Sequence, residues 1–256
     1  MTTTPHPACW QPLGDTSAHS DISASDTSVK DTIWYWLPGW GFDAKIFAPL
    51  YEKIPGQHFG LNYAHLLSEL TEPSFQAAAE YLANNSHATA HWVGWSLGGA
   101  LAASACQTSQ PARLTTLATG AQFCRQSDQG HGMPAETLAA FIQGFEHQTA
   151  KTLKRFTALC SQGSLSPRAL SRTLTANQNH PNTDVETAQL LTTLNWLTDF
   201  NITMNPHTGL ALYGDQDALA PGGLQPQYTL PGSHAFWLED DNQSQVLAHL
   251  QRNEPA

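Results

Sequence analysis

Basic side chains are scarce in this sequence. Lysine and arginine number 11 in 256 residues against 21 aspartates and glutamates, a formal net charge of −10. A chain of that sign is repelled by a phosphate backbone, which argues against nucleic acid as a partner. Cysteine is rarer still. Cys9, Cys106, Cys124 and Cys160 show neither CxxC nor metal-ligand spacing, so neither a disulfide framework nor a zinc site is indicated and a reducing compartment is expected. Long apolar runs are missing too. No stretch reaches the roughly 20 residues of a membrane span, and residues 1–30 lack the basic start and apolar run of a secretory signal. A cytoplasmic location away from the membrane is the expectation, and no metal or cofactor is called for.

What is present is a core. Hydrophobic residues make up 41% of the chain, enough for one large or two small domains. Residues 1–30 are rich in Ser, Thr and Asp and hold few side chains able to offset the cost of ordering a backbone, so most of that stretch is expected to be a flexible tail. From Ile33 onward short bulky runs alternate with helix-like stretches. The runs are IWYWL, HFGLNYA, ATAHWVGW, RLTTLATGA and LALYG; the helical stretches between them include FDAKIFAPLYEKI, SFQAAAEYLANN and LGGALAASACQTS. Such alternation predicts a mostly parallel sheet with helices on both faces and chemistry at the carboxyl ends of its strands. The rhythm breaks from 125 to 199, where AETLAAFIQGFEHQTAKTLKRFTALCSQG and SPRALSRTLTANQN read as amphipathic helices with no strand between them. The expected division is therefore a core of 31–124 and 200–256 with a helical lid insertion at 125–199.

One short segment carries the chemistry. In Gly94-Trp95-Ser96-Leu97-Gly98, Ser96 stands where an apolar strand meets an alanine-rich helix, with small residues two before and two after. A sharp strand-to-helix turn there would lift the hydroxyl above the sheet, with the unpaired N–H groups of the helix start behind it. Serine needs a base and an orienting acid to act as a nucleophile. Both follow. Asp215 and Asp217 come after the run LALYG, and His234 lies in the loop LPGSHAFWL; the order Ser96, Asp217, His234 is the one expected for an α/β-hydrolase triad. Asp217 is the chosen acid, and Asp215 is read as a turn residue bonding nearby backbone.

The segments VGWSLGGALA, LPGWGFDAKIF, LALYGDQDALAP and GSHAFW resemble the pimeloyl-[acyl-carrier protein] methyl ester esterase family of the α/β-hydrolase superfamily, over the chain from about Ile33 to its end. The resemblance implies a serine carboxylesterase of biotin synthesis with Ser96, Asp217 and His234 as triad. It also implies an oxyanion hole built from the backbone N–H groups of Trp40 and Leu97. The general alternative is a carboxylesterase acting on short-chain esters, and the remoter one a non-catalytic binding protein of the same fold. Two segments depart from the family. Pro38-Gly39 stands where His-Gly is usual, and NYAHLLSELTEPS replaces an Asp-Leu-Pro-Gly loop, so that loop must differ in shape while the oxyanion donor, a backbone amide, survives.

Charge gives the expected partner. Lys151, Lys154, Arg155, Arg168 and Arg172 all fall between residues 147 and 183, a window without a single Asp or Glu. Lys151 and Arg155 are spaced i, i+4, as are Arg168 and Arg172, so each pair shares a helix face. A cationic segment on an acidic protein suits an acidic partner. The resemblance implies that Lys151, Arg155, Arg168 and Arg172 dock an acyl carrier protein, the chain itself being a monomer. Phe123, Phe145, Trp95 and Trp237 are candidates to line an acyl channel.

Overall fold

A computed structural model describes residues 7–14, 32–109, 111, 113–125, 131–198, 200–204, 207–219, 221–225 and 227–252 of the chain. Seven strands form one sheet: β1 (Trp10–Pro12), β2 (Ile33–Leu37), β3 (Gln57–Leu61), β4 (His91–Trp95), β5 (Arg113–Leu117), β6 (Gly209–Gly214) and β7 (Gln227–Leu230). Their order across the sheet is β1-β3-β2-β4-β5-β6-β7. Only β1 is antiparallel to its neighbour; each other adjacent pair is parallel. The central strands are buried on both faces, as helices covering both sides of a parallel sheet require. In β2 the run Trp34-Tyr35-Trp36-Leu37 is wholly buried, and in β6 so is every residue from Gly209 to Gly214.

Helices α1 (Ala48–Tyr51), α2 (Tyr63–Glu69), α3 (Phe75–Asn84) and α4 (Leu97–Ala105) lie between the early strands, and α9 (Asp240–Gln251) follows the last. Of these α4 is the most enclosed, with every residue but Ser104 buried. Its small side chains allow that. A Cβ on Gly98 would collide with the backbone carbonyl of Leu37, and one on Gly99 with the Thr119 hydroxyl, so only glycine lets this helix start so close to the sheet.

Among the described residues between β5 and β6 come four α-helices and no named strand: α5 (Ala135–His147), α6 (Thr149–Ser161), α7 (Pro167–Ala176) and α8 (Asp184–Asn195). The long stretch expected to run from Ala135 to Gly163 is two helices, because the backbone leaves the helical region at Gln148 (φ −146°, ψ 59°). These helices rest on the sheet through Trp40, whose ring lies 5.8, 5.4 and 5.1 Å from those of Phe141, Phe145 and Phe156 in edge-on contact. Backbone bonds reinforce the seat: Asp43 N–H donates to Asn177 O at 3.0 Å and Asn179 N–H to Gly41 O at 2.7 Å.

The expected flexible stretch 1–30 needs correction. Trp10–Pro12 pairs with β3, Cys9 and Trp10 are buried, and the Trp10 ring stacks on Tyr35 at 4.1 Å and meets Trp92 edge-on at 5.7 Å. One large aromatic anchors an edge strand that its polar surroundings conceal. The rest of that stretch, apart from residues 7–14, lies outside the described residues.

Candidate active site

Strand β4 ends at Trp95 and α4 begins at Leu97, which leaves a single residue to make the turn. That residue is Ser96, at φ 54° and ψ −118°, a region that a side-chain-bearing residue enters only at a cost of about 1–3 kcal/mol. The neighbours hold it there. Ser96 N–H donates to Leu117 O at 2.9 Å, its carbonyl accepts from Ala100 N–H at 3.1 Å and from the Thr119 hydroxyl at 3.0 Å, and the residue is almost enclosed, 7% exposed. The serine is thus set rigidly at the carboxyl edge of the sheet, at the amino end of a buried helix.

The acid and the base come from the two loops that follow β6 and β7. Asp217 Oδ2 lies 2.7 Å from His234 Nδ1, both side chains almost fully buried, while its other oxygen accepts from Leu219 N–H at 2.8 Å. A carboxylate only accepts, so Nδ1 carries the proton and Nε2 presents a lone pair. Nε2 has no hydrogen-bond partner among the described residues. His234 and Ser96 line one cavity of about 10 Å³. Behind the acid sits Cys160, whose thiol is pushed well up by burial and then by the charge of Asp217, so it stays protonated and inert beside the pair.

Two further residues hold the histidine loop, and spacing gave no sign of either role. Trp95 Nε1–H donates to the backbone carbonyl of His234 at 2.9 Å, with the two rings 5.7 Å apart. Asp215, expected to bond its own turn, instead reaches across to accept from Gly232 N–H at 2.8 Å. Gly232 sits at φ 123°, a left-handed conformation that favours glycine and aims the chain from Asp215 back toward His234.

The amides expected to form an oxyanion hole, those of Trp40 and Leu97, donate to no protein acceptor among the described residues. Gly98, the residue after Leu97, packs on the Leu37–Pro38 backbone two residues before Trp40; a Cβ there would lie 2.5 Å from Pro38 O. A serine at a strained strand-to-helix turn, a buried imidazole–carboxylate pair beside it and two unused amides form a set of parts suited to acyl transfer.

No family model matches the chain. Among solved structures, an esterase from Exiguobacterium antarcticum superimposes with a TM-score of 0.64 at 13% identity, covering 87% of this chain and 93% of that one. A hydrolase from Oleispira antarctica gives 0.64 at 13% identity over 87% and 92%. In sequence, the pimeloyl-[acyl-carrier protein] methyl ester esterase of Shewanella oneidensis is 28% identical over 226 residues, 83% of each chain. The chain has the α/β-hydrolase fold and is similar in sequence to that esterase. A further relative, the biotin biosynthesis bifunctional protein BioHC of Saccharophagus degradans, is 30% identical over 219 residues, 78% of this chain; the match spans 38% of that longer protein.

None of the four cations expected to dock a partner lines the cavity of Ser96. Lys151 and Arg155 are exposed on α6, Arg168 and Arg172 on α7, two helices that pack on each other. None of the four forms an ion pair among the described residues. Arg172 bends back so that its Nε donates to Arg168 O at 3.3 Å. Of the four aromatics proposed for an acyl channel, Trp95, Trp237 and Phe145 are fully buried in the core. Phe123 differs. Together with Leu219 it walls both the Ser96 cavity and an adjoining apolar pocket bordered by Met133, Phe141 and Phe156.

Proposed function

We propose that the chain is a serine carboxylesterase that hydrolyses the methyl ester of a pimeloyl group borne on an acyl carrier protein, and so acts in biotin synthesis in the cytoplasm. The observation that carries the reading is the buried His234–Asp217 pair at 2.7 Å, with Nε2 unpartnered among the described residues and His234 lining one cavity with Ser96. The names of the two sequence relatives support the substrate and pathway.

His234 Nε2 takes the proton of Ser96 Oγ as that oxygen bonds the ester carbonyl carbon. The carbonyl oxygen gains the charge, held by the N–H groups of Trp40 and Leu97. Collapse breaks the bond to the methoxy oxygen, which leaves as methanol with the proton from His234. Water then bonds the acyl carbon and gives a proton to His234; His234 passes that proton to Ser96 Oγ as the acyl–Oγ bond breaks, and the carboxylic acid released loses its proton to solvent. Asp217 keeps the imidazole in the productive tautomer and stabilises its charged form.

The pocket behind Phe123 and Leu219 matches the methylene chain of the acyl group in its wholly apolar lining, and at about 10 Å³ it has to widen to hold that chain. The cavity that Ser96 and His234 line holds only about 10 Å³ and is walled by loop residues such as Phe123, Gly132 and Leu219, so these loops have to give way for an ester to enter. The four free cations on α6 and α7 suit an acidic carrier. The test is hydrolysis of methyl pimeloyl-carrier protein beside a short nitrophenyl ester. A kcat/KM well above that for the free ester is expected on the carrier-borne substrate, and a preference for the free ester would give the function to general ester hydrolysis.

A further inference from the structure

The amide of Trp40 can hold an oxyanion only if the peptide that contains it faces the serine in every turnover. Orientation of a backbone amide is set by its own plane and by the planes on either side. In a trans peptide the carbonyl and the N–H point to opposite sides, so Phe42 N–H, donating to Gly39 O at 3.2 Å, turns the Trp40 N–H the other way. The preceding plane, Pro38–Gly39, needs an anchor of its own, because rotation there would swing its neighbour by compensating changes about Gly39. That plane offers two groups for an anchor, the Pro38 carbonyl and the Gly39 N–H.

The anchor comes from α2. The Tyr63 hydroxyl donates to Pro38 O at 2.8 Å, and Tyr63 occupies the first position of that helix, directly after the Asn62 cap whose side chain accepts from His65 N–H at 3.0 Å. Its ring borders a cavity of about 260 Å³ and lies 6.3 Å from that of Trp196, so the phenol is positioned by packing as well as by the helix start. Burial pushes the phenol well up, which keeps it a donor at any working pH. The third side of the loop is closed by Trp95: a Cβ on Gly39 would lie 3.0 Å from its ring.

The two departures from the family therefore meet in one hydrogen bond: the replaced loop supplies the tyrosine and the replaced His-Gly supplies the proline carbonyl. We infer that Tyr63 is a positioning residue of the oxyanion hole, fixing the Pro38–Gly39 peptide so that the Trp40 amide stays aimed at the developing charge. The inference rests on the site proposed above.

Tyr63→Phe tests it, since the ring and its packing remain and only the hydroxyl is lost. Outright loss of an oxyanion donor costs about 10²–10³ in kcat, and loss of its aim alone should cost a part of that, roughly 5- to 50-fold. With a short nitrophenyl ester as probe, kcat and kcat/KM fall together by that factor while KM stays within about twofold. The inhibition constant of an alkyl trifluoromethyl ketone, whose adduct with Ser96 carries an oxyanion, rises by the same factor. The pH–rate profile stays in place, because His234 is untouched. Unchanged kcat and ketone affinity would overturn the inference, as would a rate loss accompanied by a displaced pH profile or an equal loss of ground-state binding. Ser96→Ala, measured alongside, separates the two levels: inactivity there with wild-type behaviour of Tyr63→Phe sinks only the positioning role, whereas an active Ser96→Ala sinks both.

Discussion

Two aspartates separated by one residue have different tasks in the loop after β6. Asp217 meets the imidazole of His234 and Asp215 meets the backbone of Gly232. Replacing the first by Asn exchanges an acceptor for an amide that can offer Nδ1 a donor, favouring the wrong tautomer; Asp217→Asn is expected to lose on the order of 10⁴ in turnover. Asp215→Asn keeps an oxygen for Gly232 N–H and should lose far less. Steady-state kinetics of the pair on a nitrophenyl ester decide the assignment, and the reverse ranking would mean that the acid is Asp215. Residue types and order singled out Ser96, Asp217 and His234, and the structure sets Asp217 against His234 and His234 beside a cavity that Ser96 also lines. Trp95 and Tyr63 were not readable as supports. Their hydrogen bonds span 139 and 25 positions to backbone carbonyls, and no side-chain pattern reports which carbonyl an indole or a phenol will find.

At the scale of elements, α6 and α7 concentrate in one helical pair the positive charge that the rest of the molecule lacks. Exposed isolated cations add little to folding stability, so their accumulation calls for a partner. Replacing Lys151, Arg155, Arg168 and Arg172 by alanine should lower kcat/KM on a carrier-borne ester by about tenfold or more while a small ester is hydrolysed as before. Added salt should slow the wild type on the carrier-borne ester and barely affect the quadruple variant, since screening acts on exposed charges. Equal losses on both substrates would instead indicate damaged helix packing. The helical character of this region was legible from its amphipathic spacing. Its break at Gln148 was not, because no glycine or proline marks it.

Across the whole molecule, legibility followed burial. Strands buried on both faces, such as Ile33–Leu37 and Gly209–Gly214, announce themselves as apolar runs. Edge strands do not. In β7 only Leu230 is buried, and β1 spans three residues among polar ones, so neither carries a pattern long enough to separate from a loop. The sheet that results brings the ends of β4, β6 and β7 to one edge, and there Ser96 comes near the Asp217–His234 pair, which follows it by more than a hundred residues in the chain. The central claim is that Ser96 attacks the ester with His234 as its base, and comparing wild type with Ser96→Ala on methyl pimeloyl-carrier protein and on a nitrophenyl ester tests it most directly. The account predicts that turnover of both substrates falls by roughly 10⁴ to 10⁶ with the fold intact by circular dichroism and thermal melting; activity near that of the wild type on either substrate would contradict it.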